Sequence, residues 1–272
     1  MAVAFDAASE SHTGTTGDAS SASFTWNHVP TGTPRGALVF VFSIGALTDT
    51  SVTYGGTAMT AVPYTAADTD TEPGSVRAYY LDNCGTGTKA VVVNRTNNAI
   101  VMYAVCFTVT AASGTEVYGA GVQTKSASTA TATGASSTGT GTGTLALLSV
   151  DDGSPGTNSL RFMGRYQGSA AVTAAGSGST AGPSIDFTNF CVDTFYETTA
   201  GQGARNVGGA TITDDVAGIA LAVRENQVKT GTESGTATEV TTAKKSATAE
   251  AGTGTEAGGI GLLVLDSGTS SP

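Results

Sequence analysis

The sequence predicts an all-β protein with the strand pattern of a sandwich or barrel, followed by a low-complexity C-terminal arm. Three observations support this prediction. Charged residues make up only 12% of the 272 residues, whereas glycine contributes 37 and threonine 47, a composition that disfavours helices. Short runs rich in Val, Ile, Phe, Tyr and Thr recur between clusters of turn residues. An apolar content of 39% is sufficient for a sizeable core.

The first amphipathic segment is Phe24–His28, in which Phe24, Trp26 and His28 alternate onto one face. Two later segments are apolar on both faces. Ala37–Ile44 is apolar except at Ser43, and Ala99–Thr110 is the longest strand candidate of the chain. Strands without a polar face are buried on both sides, so we expect both of these strands to lie centrally.

The next segments predict hairpins. Ser51–Tyr54 and Thr57–Val62 flank Gly55-Gly56, and two glycines supply the positive φ values that a two-residue hairpin turn requires. Val76–Leu81 and Lys89–Val93 follow one another closely, and we expect these two strands to pair.

Strand signals resume after a Ser/Thr/Ala/Gly-rich stretch that begins at Ser126. The predicted strands are Leu145–Val150, Leu160–Tyr166, Ile185–Tyr196 with a break near Asn189, and Val216–Arg224.

The composition changes after Asn226, which predicts a β-sandwich domain over residues 1–226 and an arm over residues 227–272. The arm is rich in Thr, Gly, Ala, Glu and Lys, and its one apolar run is Ile260–Leu265. Such a segment has too few apolar groups to offset its ordering entropy alone. We therefore expect it to add a strand to, or plug a groove of, a neighbouring subunit. The predicted assembly residues are Ile260, Leu262, Leu263, Val264 and Leu265.

Charge and termini limit the partners. The formal net charge of -10 repels phosphate and anionic lipid, which argues against nucleic acid and membrane surfaces. The longest apolar run, Ala99–Phe107, is too short for a membrane-spanning helix. The N-terminus lacks the pattern of a signal peptide, so we expect synthesis in the cytoplasm. Cys84, Cys106 and Cys191 have no metal or redox spacing and are predicted to be reduced, although a disulfide between two of them remains possible.

No motif predicts catalysis or a cofactor. His28 could join an Asp and a Ser in a triad, but no G-x-S-x-G turn marks a nucleophile, and packing in a strand explains the residue. The glycines from Gly139 to Gly143 lack the Lys-Ser/Thr ending of a phosphate-binding loop. We expect no cofactor.

Acidic clusters and one aromatic residue leave two binding hypotheses open. Alternating carboxylates can ligate Ca²⁺, but the first cluster lacks the twelve-residue spacing of an EF-hand, and adjacent carboxylates at loop tips are usually solvated, so no metal is predicted. Trp26 could stack on a sugar if it were exposed, whereas its alternation indicates a core position. The acidic residues concerned are Asp68, Asp70 and Glu72, Asp151 and Asp152, and Asp214 and Asp215.

Eight strings of the chain together resemble one protein family: Phe5–Ser9, Phe24–His28, the long strand after Pro34-Arg35-Gly36, Ser51–Thr60, Val150–Gly156, Glu197–Gly203, Asp214–Ala217 and Ala220–Val223. The most distinctive string is the Val-Thr-Tyr-Gly-Gly hairpin. Over about residues 1–225 they are similar to β-sandwich modules of tailed-bacteriophage virion proteins of the minor tail or head decoration type. The resemblance implies a jelly-roll-like antiparallel β-sandwich and a structural role, and it brings no catalytic residues.

The sequence and the resemblance together predict an accessory structural protein of a tailed-phage virion, either a minor tail component or a head decoration or fibre-base protein. Its expected partners are other virion proteins and further copies of itself, and its expected location is the virion. The first alternative is a carbohydrate- or receptor-binding sandwich that contacts a host-surface glycan. A virion-borne glycan-degrading enzyme is the second alternative, and we expect no enzyme activity.

Overall fold

The structure is a computed structural model that describes most of the chain up to Asn226. The contacts divide the chain into two units, Met1–Asn226 and Gln227–Pro272. The second unit lies outside the described residues, so the predicted arm and the strand Ile260–Leu265 stay predictions. The described residues are 3–13, 20–44, 47, 49–68, 74–96, 99–124, 136–140, 143–144, 147–150, 158–168, 172–187, 190–203, 205–210, 213–214 and 216–226.

Within these ranges the chain forms β-strands and no helix, which confirms the predicted all-β class. Consequently, no helix that could cross a membrane is found among the described residues. The first ten strands are β1 (Ala4–His12), β2 (Ser23–His28), β3 (Pro34–Ile44), β4 (Thr50–Tyr54), β5 (Thr57–Ala58), β6 (Thr60–Asp68), β7 (Gly74–Asp82), β8 (Lys89–Arg95), β9 (Met102–Thr110) and β10 (Thr115–Thr124). The others are β11 (Ser136–Thr140), β12 (Gly143–Thr144), β13 (Leu147–Val150), β14 (Ser159–Gln167), β15 (Thr180–Ala181), β16 (Ile185–Phe187), β17 (Phe190–Tyr196), β18 (Arg205–Gly208), β19 (Thr213–Asp214) and β20 (Val216–Glu225).

Three sheets are stacked as layers. The middle sheet has the strand order β1-β9-β3-β7-β6, the first outer sheet β2-β8-β4-β5, and the second outer sheet β11-β10-β20-β14-β17-β15, with β16 also paired to β17. Neighbouring strands are antiparallel except β10 and β11, which are parallel. The strands β13 and β18 form a further two-stranded ladder. The antiparallel sandwich is confirmed, with one layer more than the two that a simple sandwich has, and its jelly-roll character stays a prediction.

The central strands β3 and β9 contribute side chains to two hydrophobic cores, one on each face of the middle sheet, and the side chains of the two sets differ in size. Towards the second outer sheet they direct large residues, and towards the first outer sheet smaller or more slender ones, all of them buried. The continuous apolar runs in the sequence therefore serve two interfaces at once. The larger set is Leu38, Phe40, Phe42, Tyr103, Val105, Phe107 and Val109. The smaller set is Ala37, Val39, Val41, Met102, Ala104 and Cys106.

A glycine allows the middle and second outer sheets to approach closely. Gly164 of β14 lies under β3, and a Cβ atom at this position would stand 2.8 Å from ring atoms of both Phe40 and Phe42. Phe40 in turn meets Phe107 edge to face, with ring centroids 6.2 Å apart. The aromatic packing of this interface therefore requires a residue without a side chain in the facing strand.

The predicted Gly-Gly hairpin is confirmed. Gly55 and Gly56 have φ values of 57° and 82°, and Tyr54 pairs with Thr57 across the turn. The segment expected to continue as one strand to Val62 is divided, because the chain leaves the first outer sheet after Ala58 and enters the middle sheet as β6.

The predicted pairing of Val76–Leu81 with Lys89–Val93 is wrong. These segments lie in β7 and β8, which belong to different layers: β7 pairs with β3 and β6, and β8 pairs with β2 and β4. Between them Asn83, Gly85 and Gly87 have positive φ values of 49°, 75° and 77°. This irregular link carries the chain from the middle sheet to the first outer sheet instead of closing a hairpin.

The later strands largely follow the predictions. β14 and β20 contain the predicted segments Leu160–Tyr166 and Val216–Arg224. The break expected near Asn189 separates β16 from β17, which pair with each other, Phe187 opposite Phe190.

Candidate functional site

The edge strands β1 and β2 meet at one side of the stack. β1 is the end strand of the middle sheet, and β2 is the end strand of the first outer sheet. The predicted alternation in β2 is confirmed, since Phe24, Trp26 and His28 are less exposed than Ser23, Thr25 and Asn27. Trp26 and His28 both contact Ser9 of β1.

Five side chains form a continuous hydrogen-bonded series across this seam. Trp26 Nε1 donates to Ser9 Oγ at 2.8 Å, and Ser9 Oγ lies 2.7 Å from His28 Nδ1. His28 Nε2 lies 3.0 Å from Thr108 Oγ1, which donates to Asp6 Oδ2 at 2.8 Å. We refer to Trp26, Ser9, His28, Thr108 and Asp6 as the seam network.

The carboxylate at the end of the seam network fixes the direction of every proton. Asp6 accepts the Thr108 hydroxyl proton, so Thr108 Oγ1 can only accept from His28, whose proton is therefore on Nε2. His28 Nδ1 is then an acceptor and receives the single hydroxyl proton of Ser9, whose oxygen accepts from Trp26. Each donor in the series therefore has an acceptor.

A β-bulge places the Asp6 side chain at the end of the seam network. The register between β1 and β9 shifts between Phe5 and Ala7, which leaves Asp6 as the extra residue. A bulge redirects a side chain in this way. The other oxygen of the carboxylate, Oδ1, accepts from Gly32 N at 2.6 Å and from Thr31 Oγ1 at 2.8 Å, so Asp6 also holds the link between β2 and β3.

The protonation of His28 follows from its burial. The side chain is fully buried, and desolvation lowers the pKa of His28 from 6.5 to about 4, against a smaller opposing effect of Asp6. The imidazole is therefore neutral near pH 7, which agrees with the single ring proton that the seam network assigns.

The seam network has the residue types of a hydrolytic triad in a different arrangement. Thr108 stands between His28 and Asp6, so the carboxylate does not contact the imidazole directly. Trp26 donates to Ser9, which withdraws electron density from the hydroxyl oxygen, and a base with a pKa near 4 accepts the hydroxyl proton weakly at neutral pH. The geometry thus favours the packing role of His28 over a catalytic one.

A second polar cluster lies on the outward face of the second outer sheet. Arg165 of β14 and Asp193 of β17 are directly opposite in register and form an ion pair of 2.5 Å, with both side chains buried. The Arg165 guanidinium also donates to Ala210 O at 3.1 Å and to Thr173 Oγ1. Desolvation lowers the pKa of Arg165, and Asp193 opposes that change.

The matching pair four residues along is Arg161 with Glu197. Arg161 Nη1 lies 3.5 Å from Glu197 Oε2, which also accepts from the Arg161 backbone N–H at 2.9 Å. The guanidinium donates to the carbonyl oxygens of Gly201, at 2.8 Å, and Gly203. Glu197 also binds Arg205 at 3.0 Å. Burial raises the pKa of Glu197, and Arg161 opposes that rise. Arg161 therefore holds the loop that follows β17 against the sheet, and Arg165 holds the segments around Thr173 and Ala210.

Sequence reasoning missed these two ion pairs, although a signal was present. Arg161 and Arg165 are four residues apart, as are Asp193 and Glu197, so antiparallel pairing of the two strands brings both acids opposite both arginines. Finding this required knowing that β14 and β17 are neighbours.

The remaining predicted residues contribute no further site among the described residues. The side chains of Asp68, Asp70, Glu72, Asp151, Asp152, Asp214 and Asp215 lie outside the described part, as do Ile260, Leu262, Leu263, Val264 and Leu265. In the part that is described, no group of three or more His, Cys, Asp or Glu side chains could hold a metal ion.

The three cysteines are free thiols and buried, which confirms that they are reduced. Burial raises the pKa of Cys84 to about 11 and that of Cys191 to about 12, and it raises the pKa of Cys106 well above its ordinary value. These thiols therefore stay protonated and are poor nucleophiles.

Comparisons of the chain with protein-family models, with curated proteins and with solved structures found no match.

Proposed function

We propose that this chain is an accessory structural protein of a tailed-phage virion that acts through contacts between subunits. The resemblance of residues 1–225 to virion modules suggests this role. The observation that best supports it is how the buried polar groups are used: the seam network and the pairs Arg165–Asp193 and Arg161–Glu197 join strands and loops of the same chain to one another. Buried polar groups used in this way stiffen the sandwich, which leaves its sheet edges and loops to contact neighbouring subunits.

The arm supplies the expected contact. Ile260–Leu265 is the one apolar run after Asn226, and six apolar or small residues exposed to water would favour association with another surface. The low content of charged residues, 12%, also suits closely packed subunits, because few charges have to be desolvated at an interface.

The carbohydrate-binding alternative is less well supported by the geometry. Trp26, the candidate for stacking on a sugar, is stacked on Phe24 with ring centroids 5.7 Å apart, and its indole nitrogen is engaged by Ser9. A sugar platform requires an exposed ring face and a polar rim.

Self-association of the full chain tests the proposal. Leu263→Asp places a charge in the apolar run of the arm, and we expect it to reduce the average mass measured by sedimentation velocity to that of a monomer. Val172→Asp is the matched control, because Val172 is a 41% exposed apolar residue of the sandwich, and it should leave association unchanged. Both variants should unfold at the same urea concentration as the parent protein.

Two results would contradict the proposal. One is a parent protein that stays monomeric at every concentration and does not join particles when added to a lysate of assembling virions. The other is equal loss of association in both variants, which would assign the contact to the sandwich surface in general.

A further inference from the structure

We propose that the outer edge of β1 receives Ile260–Leu265 from a second copy of this chain as an added strand of the middle sheet. The inference rests on the proposed function, since it names the surface to which the arm would bind. Four features of the described residues favour this edge over the other sheet edges.

The first feature is a regular backbone edge that is paired with no other described strand. Among the described residues β1 pairs only with β9, and the register runs without interruption from Ala7 to His12. Thr13 N donates to Met102 O at 2.9 Å, so the backbone of Thr13 faces β9. Because N–H and C=O groups alternate in an antiparallel pair, those of Ala8, Glu10 and His12 point away from β9. These groups form a template for one more strand.

The second feature is the two-sided cover at this edge. On one side of β1, Ser9 contacts Trp26 and His28 of the first outer sheet. On the other side, the His12 ring meets Phe187 of the second outer sheet edge to face, with centroids 6.1 Å apart. β1 is therefore contacted by both outer layers at this edge, and a strand added beside it extends the middle layer.

The third feature is the pattern of the arm segment. Ile260, Leu262 and Val264 alternate with Gly261, Leu263 and Leu265, so neither face of a strand built from this segment is polar. Such a pattern suits a layer that is covered on both faces, as β3 and β9 are. A strand added to an outer sheet would leave one apolar face in water. The segment and the regular edge Ala7–His12 are also equally long, at six residues each.

The fourth feature is the protection of the opposite edge of the middle sheet. That edge is β6, which contains Pro63 and whose register with β7 shifts between Ala61 and Thr65. Proline lacks an N–H group, and an irregular register interrupts the hydrogen-bonding row, so both are devices that block strand addition. In β1, by contrast, the only irregularity is the bulge at Asp6, at the start of the regular stretch.

The linker is long enough for exchange between copies. Residues 227–259 separate the sandwich from the apolar segment. Fully extended, these 33 residues reach at most roughly 110 Å, which exceeds the width of a small domain. An arm of one copy bound to the edge of the next is a heterologous contact, which closes into a ring when the rotation between copies permits.

Disulfide trapping between full-length variants tests the inference. Ala8→Cys protein, with the new thiol on an exposed residue of β1, is mixed under mild oxidation with proteins that carry one cysteine at each position from 260 to 265 in turn. The native thiols are buried and do not compete. We expect disulfide-linked dimers at alternate positions only, because successive residues of a strand point to opposite faces. Ser23→Cys, exposed on the edge strand β2, is the matched control and should form at least tenfold less dimer.

Three outcomes would overturn the inference. The first is equal disulfide trapping at Ser23→Cys and Ala8→Cys, and the second is no trapping at Ala8→Cys. The third is a disulfide that forms only within a single molecule carrying both cysteines and never between two molecules. The association assay with Leu263→Asp separates this inference from the proposed function. If that variant loses association while Ala8 is never trapped, the arm binds neighbours at another surface, and the proposed function stands without this edge.

Discussion

Ser9 Oγ lies 2.7 Å from His28 Nδ1, and this hydrogen bond joins the end strands of two different sheets. Ser9 belongs to the middle sheet and His28 to the first outer sheet, so the bond joins the two layers at the side of the stack, together with the Trp26–Ser9 and His28–Thr108 bonds. The fully buried imidazole makes the seam network continuous from Trp26 to Asp6.

Removing the Ser9 hydroxyl should destabilise the protein. Ser9→Ala leaves Trp26 Nε1 without its acceptor and His28 Nδ1 without its donor. We expect the free energy of unfolding to fall by about 1–3 kcal/mol in urea titrations. Ser11→Ala, two residues along the same face of β1, should change it by less than about 0.5 kcal/mol. Equal effects of the two substitutions would show that the seam network does not hold the layers.

Stability should decrease in weak acid because of His28. In the unfolded chain the pKa of His28 is 6.5, and in the fold it is about 4. Between these values the unfolded chain binds more protons, so this contribution is complete above pH 6.5 and is lost as the pH falls towards 4. The difference between the two pKa values sets an upper limit of roughly 3 kcal/mol on this contribution.

The neutral variant His28→Gln provides the comparison that isolates this contribution. Burial raises the pKa of Glu10 and of Glu197, which stabilises the fold as the pH falls and partly masks the effect of His28 in the parent protein. The difference in unfolding free energy between parent and variant should therefore shrink from pH 7 to pH 4.5. A difference that is constant over this range would mean that His28 does not titrate as its burial requires.

Breaking the Arg165–Asp193 pair should be severe. Asp193→Ala removes the carboxylate that opposes the buried Arg165 charge, and we expect a loss of about 3–5 kcal/mol of stability. The double substitution Arg165→Met, Asp193→Leu should recover most of this loss, because it removes both charges. Arg205→Met is the control: its side chain is 31% exposed and its partner Glu197 retains Arg161, so we expect less than about 1 kcal/mol. A double variant as unstable as Asp193→Ala would contradict this explanation.

Gly164→Ala should reduce stability by about 1–3 kcal/mol, because the added methyl group meets the rings of Phe40 and Phe42 at 2.8 Å. Combining it with Phe40→Leu should lower the stability by less than the sum of the two single effects, since a smaller side chain makes room for the methyl group. Thermal unfolding of the parent protein, the two single variants and the double variant measures the coupling free energy between the two positions. Strict additivity would indicate that Gly164 is needed for its backbone and not for the close approach of the sheets.

Local signals predicted most of the strands but neither β1 nor β10, and contacts between residues far apart in sequence decided how the strands are arranged. The continuous apolar runs in β3 and β9 identified central strands, because burial on both faces requires apolar residues at successive positions. Gly55-Gly56 identified a turn, because positive φ values favour glycine. No local sequence signal indicates that β7 belongs to the middle sheet and β8 to the first outer sheet. Both strands are apolar enough for either sheet, and the choice depends on contacts with strands far away in sequence.

The same limit applies to the seam network and the ion pairs. His28 was recognised as a strand residue facing inward, but its partners Ser9 and Thr108 are 19 and 80 residues away. Asp6 reaches the network through a bulge, which period-two alternation does not predict. Buried arginines in β14 contradict the usual exposure of that residue, and only their acidic partners in β17 make them compatible with burial.

The unequal division of side-chain size in β3 and β9 has a consequence for folding fidelity. Most sheets reject a strand that has slipped by one residue because the slip turns polar groups inward. β3 has few polar side chains that a slip could turn inward, so the energetic penalty for a slipped register must come from mismatched side-chain volumes. A slipped β3 would force Phe40 and Phe42 into the space of Ala37, Val39 and Val41, and would leave voids where the rings belong. Differences in side-chain volume can thus select the correct register of a strand that is apolar on both faces.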